Sequence, residues 1–215
     1  MPHRLYIVAT SGLAKETAQL ADAICRVTPL WDEIAYISQD RKEIGRKLPF
    51  GVVVGTDELL IAAAESIDVA IGIGAPTARK RVAQALTQYS HLRFPNLIHP
   101  KALVDPDWVR LGIGNAVAAG CVMTCDIEIG DFNLFNLNVT VAHDARIGSY
   151  NVFNPSCNVS GNVQIDSEVL AGTGSQVLEK LQIASRCMLG AGAVLTRSCD
   201  VEGTVLTGVP ARPRT

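Results

Sequence analysis

The chain has 215 residues and a formal net charge of −2, which argues against a general nucleic-acid binder, since such a protein carries a basic excess. Apolar residues make up 48% of it, yet no run approaches the roughly 20 residues of a membrane span. Met1-Pro2-His3-Arg4-Leu5 lacks the apolar core and cleavage site of a secretory signal, and no pair among Cys25, Cys121, Cys125, Cys157, Cys187 and Cys199 has zinc-knuckle spacing with histidines nearby. A cytoplasmic, reducing location is expected.

From Leu5 to about Asn96, short apolar runs alternate with helical spacing. Leu5–Ala9 reads as a buried strand, Thr10-Ser11-Gly12 as a turn, and Ala14–Cys25 as a helix with Leu20, Ala21 and Ile24 on one face. Ile34–Ile37 is a second strand, followed by a polar loop from Ser38 to Leu48, and Val52–Val54 is a third. Asp57 is expected to cap a helix through Glu65, Val69–Ile73 to form a fourth strand, and Thr77 to cap a basic helix through Leu86. This alternation predicts a small parallel sheet covered on both faces, with ligands beyond the carboxyl ends of its strands.

Three loops lie there and supply the candidate substrate-binding residues Ser11, Gly12, Leu13, Asp40 and Gly72. The first has one glycine where a dinucleotide fingerprint has three, which argues against NAD. Asp40 reads either as a solvated turn residue or as a ribose ligand. Gly72-Ile-Gly-Ala-Pro-Thr77 either lets a ligand approach its backbone, with Thr77 opening a helix toward an anion, or forms a tight strand-to-helix turn.

Leu97–Val104 joins two differently patterned regions, and the boundary divides the chain into domains 1–96 and 97–215. Ile98 and Val104 are six apart, but the next step lands on Arg110 and the register resumes at Leu111, so one extra residue near Asp105–Val109 is expected to bulge the first coil. His99 reads as structural. From Leu111 every sixth residue is apolar: Val117, Met123, Ile129, Phe135, Val141, Ile147, and so on to Leu189 and Leu195. The next residue is mostly small or polar, and four residues on small or aliphatic side chains return, including Cys121, Val139, Cys157 and Cys187. This is the signature of a parallel β-helix. Three hexapeptides close a triangular coil, with apolar residues filling its shaft and small residues at its corners. Cys121, Cys157 and Cys187 then read as small buried hydrophobes.

Eighteen residues per coil stacks Asn133 under Asn151 and Asn136 under Asn154, so side-chain ladders are expected along the axis. Outward Phe132, Leu134 and Leu137 would expose apolar rows, which predicts a three-fold trimer that buries them.

His143 is the one histidine in the repeat and is followed by Asp144. It takes the third place of its hexapeptide, outside both inward phases, and its neighbours one coil away are Cys125 and Gly161. Asp144 can hold the ring in one tautomer and raise its basicity, and Gly161 leaves a backbone amide unobstructed. A base, an orienting carboxylate and an amide donor are the minimum set for acyl transfer. A zinc hydratase built on a β-helix needs three histidines around the metal, which this region lacks, so no metal is expected.

At these residues the chain resembles the sialic-acid O-acetyltransferase and UDP-4-amino-sugar N-acetyltransferase family of hexapeptide-repeat acyltransferases. The likeness is carried by Ile98-His-Pro100, Val141-Ala-His-Asp-Ala-Arg-Ile-Gly148, Ser160-Gly-Asn-Val163, Leu189-Gly-Ala-Gly-Ala193 and Gly208-Val-Pro-Ala-Arg212. The resemblance implies a small Rossmann-like α/β domain followed by a left-handed parallel β-helix, a homotrimer, and acetyl-CoA as co-substrate. His143 would be the general base, Asp144 would increase its basicity, and Gly161 would offer its amide to the thioester oxygen. Thr173 and Ala191, one coil apart, would line the acetyl-CoA groove between two subunits. The acceptor would be an amino group or hydroxyl of a sugar or nucleotide sugar, selected by the amino-terminal domain. Val152 stands where many members have a second histidine, and Ala9-Thr-Ser-Gly-Leu13 and Ser38-Gln-Asp40 stand for a glycine-rich loop and paired acids. A non-catalytic trimeric scaffold is the alternative, since a fold alone does not guarantee a function.

Overall fold

The computed structural model describes residues 3–214; Met1 and Pro2, which open the stretch without a secretory signal, and Thr215 lie outside them. The apolar runs of the amino-terminal part become β1 (Arg4–Val8), β2 (Glu33–Ile37), β3 (Lys47–Leu48), β4 (Gly51–Gly55), β5 (Ile67–Ile71) and β6 (Leu92–Arg93). They lie in the order β3-β4-β2-β1-β5-β6, parallel throughout except that β3 turns back antiparallel on β4. Helix α1 (Gly12–Cys25) packs Ala14, Ala18, Ala21 and Ile24 toward one face of the sheet. Helices α2 (Asp57–Ile61) and α3 (Pro76–Leu86) cover the other with Leu60, Val82, Ala83 and Leu86. α2 stops at Ile61, short of Glu65, as the chain turns back to enter β5 at Ile67. Thr77 does not cap α3, because Pro76 is already helical and Ala75 holds the cap position; the fixed φ of proline suits a first turn.

In the remainder, every register position from Val117 to Leu195 is buried in one shaft, where Phe135 and Phe153 stack at 4.9 Å. Short parallel strands line three faces of a prism. The first face runs from Leu97–Ile98 through Ala116–Val117, Leu134–Phe135 and Val152–Phe153 to the carboxyl end. The second runs from Val122–Met123 to Val194–Leu195, and the third from Val109–Leu111 to Gln182–Ile183. Phe135 pairs with Phe153, Val141 with Val159 and Ile147 with Ile165, which is the expected step of one coil.

The first coil is one residue longer, since Leu103 meets Val122 while Val109 meets Ile127. The extra residue is absorbed where the Asp105 carbonyl accepts from the amides of Trp108 and Val109 at 3.1 and 2.9 Å. At the other end the coil tightens, Ile183 bridging Cys199 and Met188 pairing with Val205.

The asparagine ladder forms on the edge before the first face. The Asn133 amide donates to Asn115 Oδ1 at 2.8 Å, that of Asn151 to Asn133 Oδ1 at 2.9 Å, and that of Val169 to Asn151 Oδ1 at 2.7 Å. Asn96 starts the series by accepting from the Asn115 amide at 2.8 Å. Buried amides outside the strand pairing are thereby satisfied. Asn136 departs from the expected ladder, its Oδ1 accepting instead from the adjacent Leu137 amide at 2.8 Å. The corners also differ from expectation. Phe132, Tyr150, Lys180 and Arg186 occupy the left-handed position at φ of 55°, 63°, 60° and 63°. Smallness is needed two residues earlier, where a Cβ on Gly148 would come within 2.9 Å of the Asp166 carbonyl on the next coil.

α1 lies between the sheet and the first face of the prism, whose outward Leu97, Ala116, Leu134 and Val152 share a core with Leu20, Ala21 and Ile24. Burying one such Val or Leu side chain stabilises by about 1.5–3 kcal/mol. Phe132 packs edge-on to Phe94 and stacks on Tyr150. The expectation that Phe132 and Leu134 stand exposed and drive trimer formation is therefore corrected: the amino-terminal part covers both, and of the three only Leu137 is exposed.

Arg79, fully buried, ties the two parts together. Its guanidinium donates to the carbonyls of Phe132 at 2.6 Å, Ile71 at 2.9 Å and Ile73 at 3.1 Å. Burial pushes its pKa down to about 10, so the group stays charged at neutral pH. Lys80 adds an ion pair to the buried Glu168 at 2.6 Å.

Candidate active site

The third place of each hexapeptide falls on a prism corner, and the three corners treat it differently. Between the third and first faces it holds Ile113, Asp131, Ser149, Ser167 and Ser185. There the amide of Ile113 donates to Asp131 Oδ1 at 2.8 Å, that of Asp131 to Ser149 Oγ at 2.9 Å, and that of Ser149 to Ser167 Oγ at 3.0 Å. Each side chain thus closes the amide one coil below. Between the second and third faces the same place holds Cys125, His143, Gly161 and Glu179, and their amides donate to no protein group among the described residues. Between the first and second faces it holds Ala119, Leu137, Pro155, Thr173 and Ala191, where the amides of Thr173 and Ala191 are likewise open.

His143 Nδ1 lies 2.7 Å from Asp144 Oδ2. Asp144 sits at the left-handed corner with φ of 60°, beside the ring. A carboxylate at that distance holds the ring proton on Nδ1 and leaves Nε2 with its lone pair. The ring lies over Gly161: a Cβ there would be 2.6 Å from both Cε1 and Nε2 of His143. Glycine is needed at this position because the imidazole already fills the space. Gly161 also accepts from the Lys180 amide at 3.0 Å, which fixes its peptide while leaving its own N–H unused. Base, carboxylate and free amide are together in one chain.

Thr173 and Ala191 are exposed and successive on their corner, joined through the Gly192 amide, which donates to the Thr173 carbonyl at 2.8 Å. They lie on a different edge of the prism from His143.

The candidate substrate residues scatter. Beyond the carboxyl ends of β1, β2 and β5 is a cleft of about 270 Å³ lined by Ala9, Thr10, Ser11, Ser38, Gln39 and Arg81 among others. Ser11 lines it, in the cap position of α1 with its hydroxyl unused for capping. Gly12 borders open space. Leu13 lines a different cleft, of about 380 Å³, between α1 and the prism. Asp40 closes its own turn, Oδ1 accepting from the Lys42 amide at 2.9 Å. Gly72 makes room for helix packing, since a Cβ would lie 2.7 Å from Ala14 Cα.

Sequence reasoning missed Arg81, Ala9 and Glu43. Ala9 has φ of 109°, a strained value for a residue with a side chain. Glu43 accepts from Ser38 Oγ at 2.6 Å and Thr10 Oγ1 at 2.8 Å, and these bonds hold its carboxyl below the usual range. The polar loop after β2 was the available signal for Glu43. Among the described residues no three His, Cys, Asp or Glu side chains cluster as a metal site.

Residues 4–86 match the PglD N-terminal domain family model. The whole chain is similar to the acetyltransferase domain of PglB from Neisseria gonorrhoeae, at 27% identity and a TM-score of 0.88 over 99% of this chain and 100% of that one. It is also similar to PerB from Caulobacter crescentus, at 27% identity and a TM-score of 0.87 over 98% and 97% of the two chains. WeeI from Acinetobacter baumannii, 24% identical with a TM-score of 0.86 over 99% and 100%, shares the fold. Among curated proteins no sequence match is found. The chain is an acyltransferase, similar over its whole length to these acetyltransferases. Its fold is the expected one, an α/β domain followed by a left-handed parallel β-helix. In this acyltransferase Val152, at the place of the second histidine, is sealed under α1 with 1% exposure, away from the His143 corner. No helix among the described residues is long and apolar enough to cross a membrane.

Proposed function

We propose that the chain transfers the acetyl group of acetyl-CoA directly to the amino group of a nucleotide-linked sugar, with His143 as general base. The observation that carries this reading is the His143 ring, held by Asp144 at 2.7 Å and lying over Gly161, whose amide has no acceptor among the described residues. An amine is a poor nucleophile while protonation or hydrogen bonding holds its lone pair. Nε2 of His143 takes the proton as the carbon–nitrogen bond forms, and the Gly161 N–H receives the developing oxyanion. Protonated His143 then returns the proton to the departing thiolate. No acyl-enzyme forms through Cys157, because burial pushes that thiol up to about 11.

The substrates are supported by relatives. A structure of the PglB acetyltransferase domain is in complex with acetyl coenzyme A, and PerB is in complex with CoA and GDP-perosamine. The amine is favoured over a hydroxyl because a perosamine N-acetyltransferase is among the similar structures. Thr173 and Ala191 bind the coenzyme through their open corner. Since that edge is not the His143 edge of the same chain, a groove lined by both requires a neighbouring copy. Three such contacts close a homotrimer. The acceptor's nucleotide occupies the strand-end cleft at Thr10, Ser11 and Ser38, which accounts for the selection of acceptor by the amino-terminal part.

Steady-state release of coenzyme A thiol with nucleotide-linked amino sugars tests the reading. His143→Ala should lose about 10²–10⁴ in turnover while its affinity for acetyl-CoA stays unchanged. Near wild-type turnover, with fold and assembly intact, would remove His143 from the mechanism and favour the scaffold alternative.

A further inference from the structure

The cleft between α1 and the prism has no part in the reaction as derived so far. Its walls are mostly apolar, from Leu13, Leu20 and Phe50 on one side and Ala118, Leu134 and Leu137 on the other. It lies next to both ends of the proposed reaction. Leu13 is two residues from Ser11, which lines the strand-end cleft, so the first turn of α1 borders both cavities. Ala119 and Leu137 belong to the same prism corner as Thr173 and Ala191. The cleft therefore borders both the strand-end cleft, through the first turn of α1, and the coenzyme corner, through Ala119 and Leu137.

His99 enters this cleft from the prism side. Its Nδ1 accepts from the Lys101 amide at 3.0 Å, which makes that nitrogen the unprotonated one. The proton of the neutral ring is then on Nε2, which has no partner among the described residues. Partial burial and the nearby Lys101 both hold the pKa of His99 below its ordinary value, so the neutral form prevails near pH 7. The result is a hydrogen-bond donor of fixed tautomer on the prism side of the cleft, beside the apolar Ala116, Ala118 and Leu134, the kind of placed polar group by which small-ligand sites set orientation.

We propose that His99 is a specificity-determining residue, donating from Nε2–H to an oxygen of the acceptor sugar seated between α1 and the prism. This rests on the nucleotide-sugar reading given above. Leu13, Leu20, Phe50 and Leu134 accept the ring's less polar edge, and Glu16, Asp22 and Arg26 on the α1 side offer further polar contacts.

Two variants separate this role from a structural one. His99→Asn keeps an acceptor for the Lys101 amide but is too short to donate where Nε2 does. His99→Gln reaches the Nε2 position with a donor but gives up the turn contact. Thiol release is measured for each with UDP-, GDP- and dTDP-linked amino sugars, GDP-perosamine among them, after melting temperature and assembly are checked. His99→Asn should raise the acceptor KM about 3–10-fold, the loss of one hydrogen bond, with the acetyl-CoA KM unchanged. His99→Gln should stay within about 2-fold of wild type. A rise in acceptor KM in both variants, or in neither, overturns the proposal. If wild type releases thiol and His143→Ala does not, such a result removes only the role of His99. If wild type itself turns over no sugar in the panel, the nucleotide-sugar reading fails and the proposal with it.

Discussion

Two kinds of corner on the same prism differ in one respect, whether the third residue of the hexapeptide closes the amide below it. Along the corner of Asp131, Ser149 and Ser167, side-chain oxygens take up each amide in turn at 2.8–3.0 Å. Along the corner of Cys125, His143 and Gly161, the backbone has the same path but its amides are left open. The backbone repeat alone therefore supplies a donor at every corner. In the proposed mechanism, activity arises where the sequence withholds the short polar side chain and sets an imidazole in its place.

The sharpest way to break this contrast is to close the open corner. Glu179 is one coil from Gly161, as Ser167 is from Ser149. Glu179→Ser should bring a hydroxyl onto the Gly161 amide and lower turnover by about 10²-fold, the scale of one oxyanion donor. Melting temperature should be unchanged, which thiol-release kinetics alongside calorimetry would check. Unaltered turnover with the hydroxyl bonded to Gly161 would mean that the amide is not used.

A smaller effect is expected at Asp144. Asp144→Asn keeps a partner for the ring but loses the acceptor-only carboxylate that fixes its tautomer, so turnover should fall by about 10-fold in thiol-release assays. Unchanged turnover would assign Asp144 to corner geometry alone.

Arg79→Met is expected to change turnover least and stability most. Removing the guanidinium leaves the carbonyls of Phe132, Ile71 and Ile73 unpaired in the core, at about 1–3 kcal/mol each. A melting temperature lower by at least about 6 °C, with turnover at 25 °C within a few-fold of wild type, is expected. Loss of turnover without loss of stability would make Arg79 part of the site.

Much of this contrast was legible in the sequence, because a six-residue repeat fixes which side chains share a corner. The stacking of His143 on Gly161, the lengthened first coil and the Asn133–Asn151 ladder all follow from counting along the chain. What depended on docking was not legible. Phe132 and Leu134 read as outward and exposed, and they are outward, but α1, Phe94 and Tyr150 cover them. Gly72 read either as room for a ligand or as part of a tight strand-to-helix turn, and Ala14 fills that room. Arg79 carried no signal, since a buried arginine served only by carbonyls has no partner residue to mark it. The closed corner was legible in principle from its serines spaced one coil apart, a pattern as regular as the asparagines.

The central claim is that each site joins the His143 corner of one chain to the Thr173 and Ala191 corner of the next, and mixing two inactive variants tests it most directly. His143→Ala lacks the base, and Ala191→Trp blocks the coenzyme corner. Co-expressed in equal amounts, they should regain about a quarter of wild-type thiol release, because every mixed trimer then contains one junction with both halves intact. If each site lay within one chain, no junction would be whole, and a mixture as inactive as its parents would contradict the account.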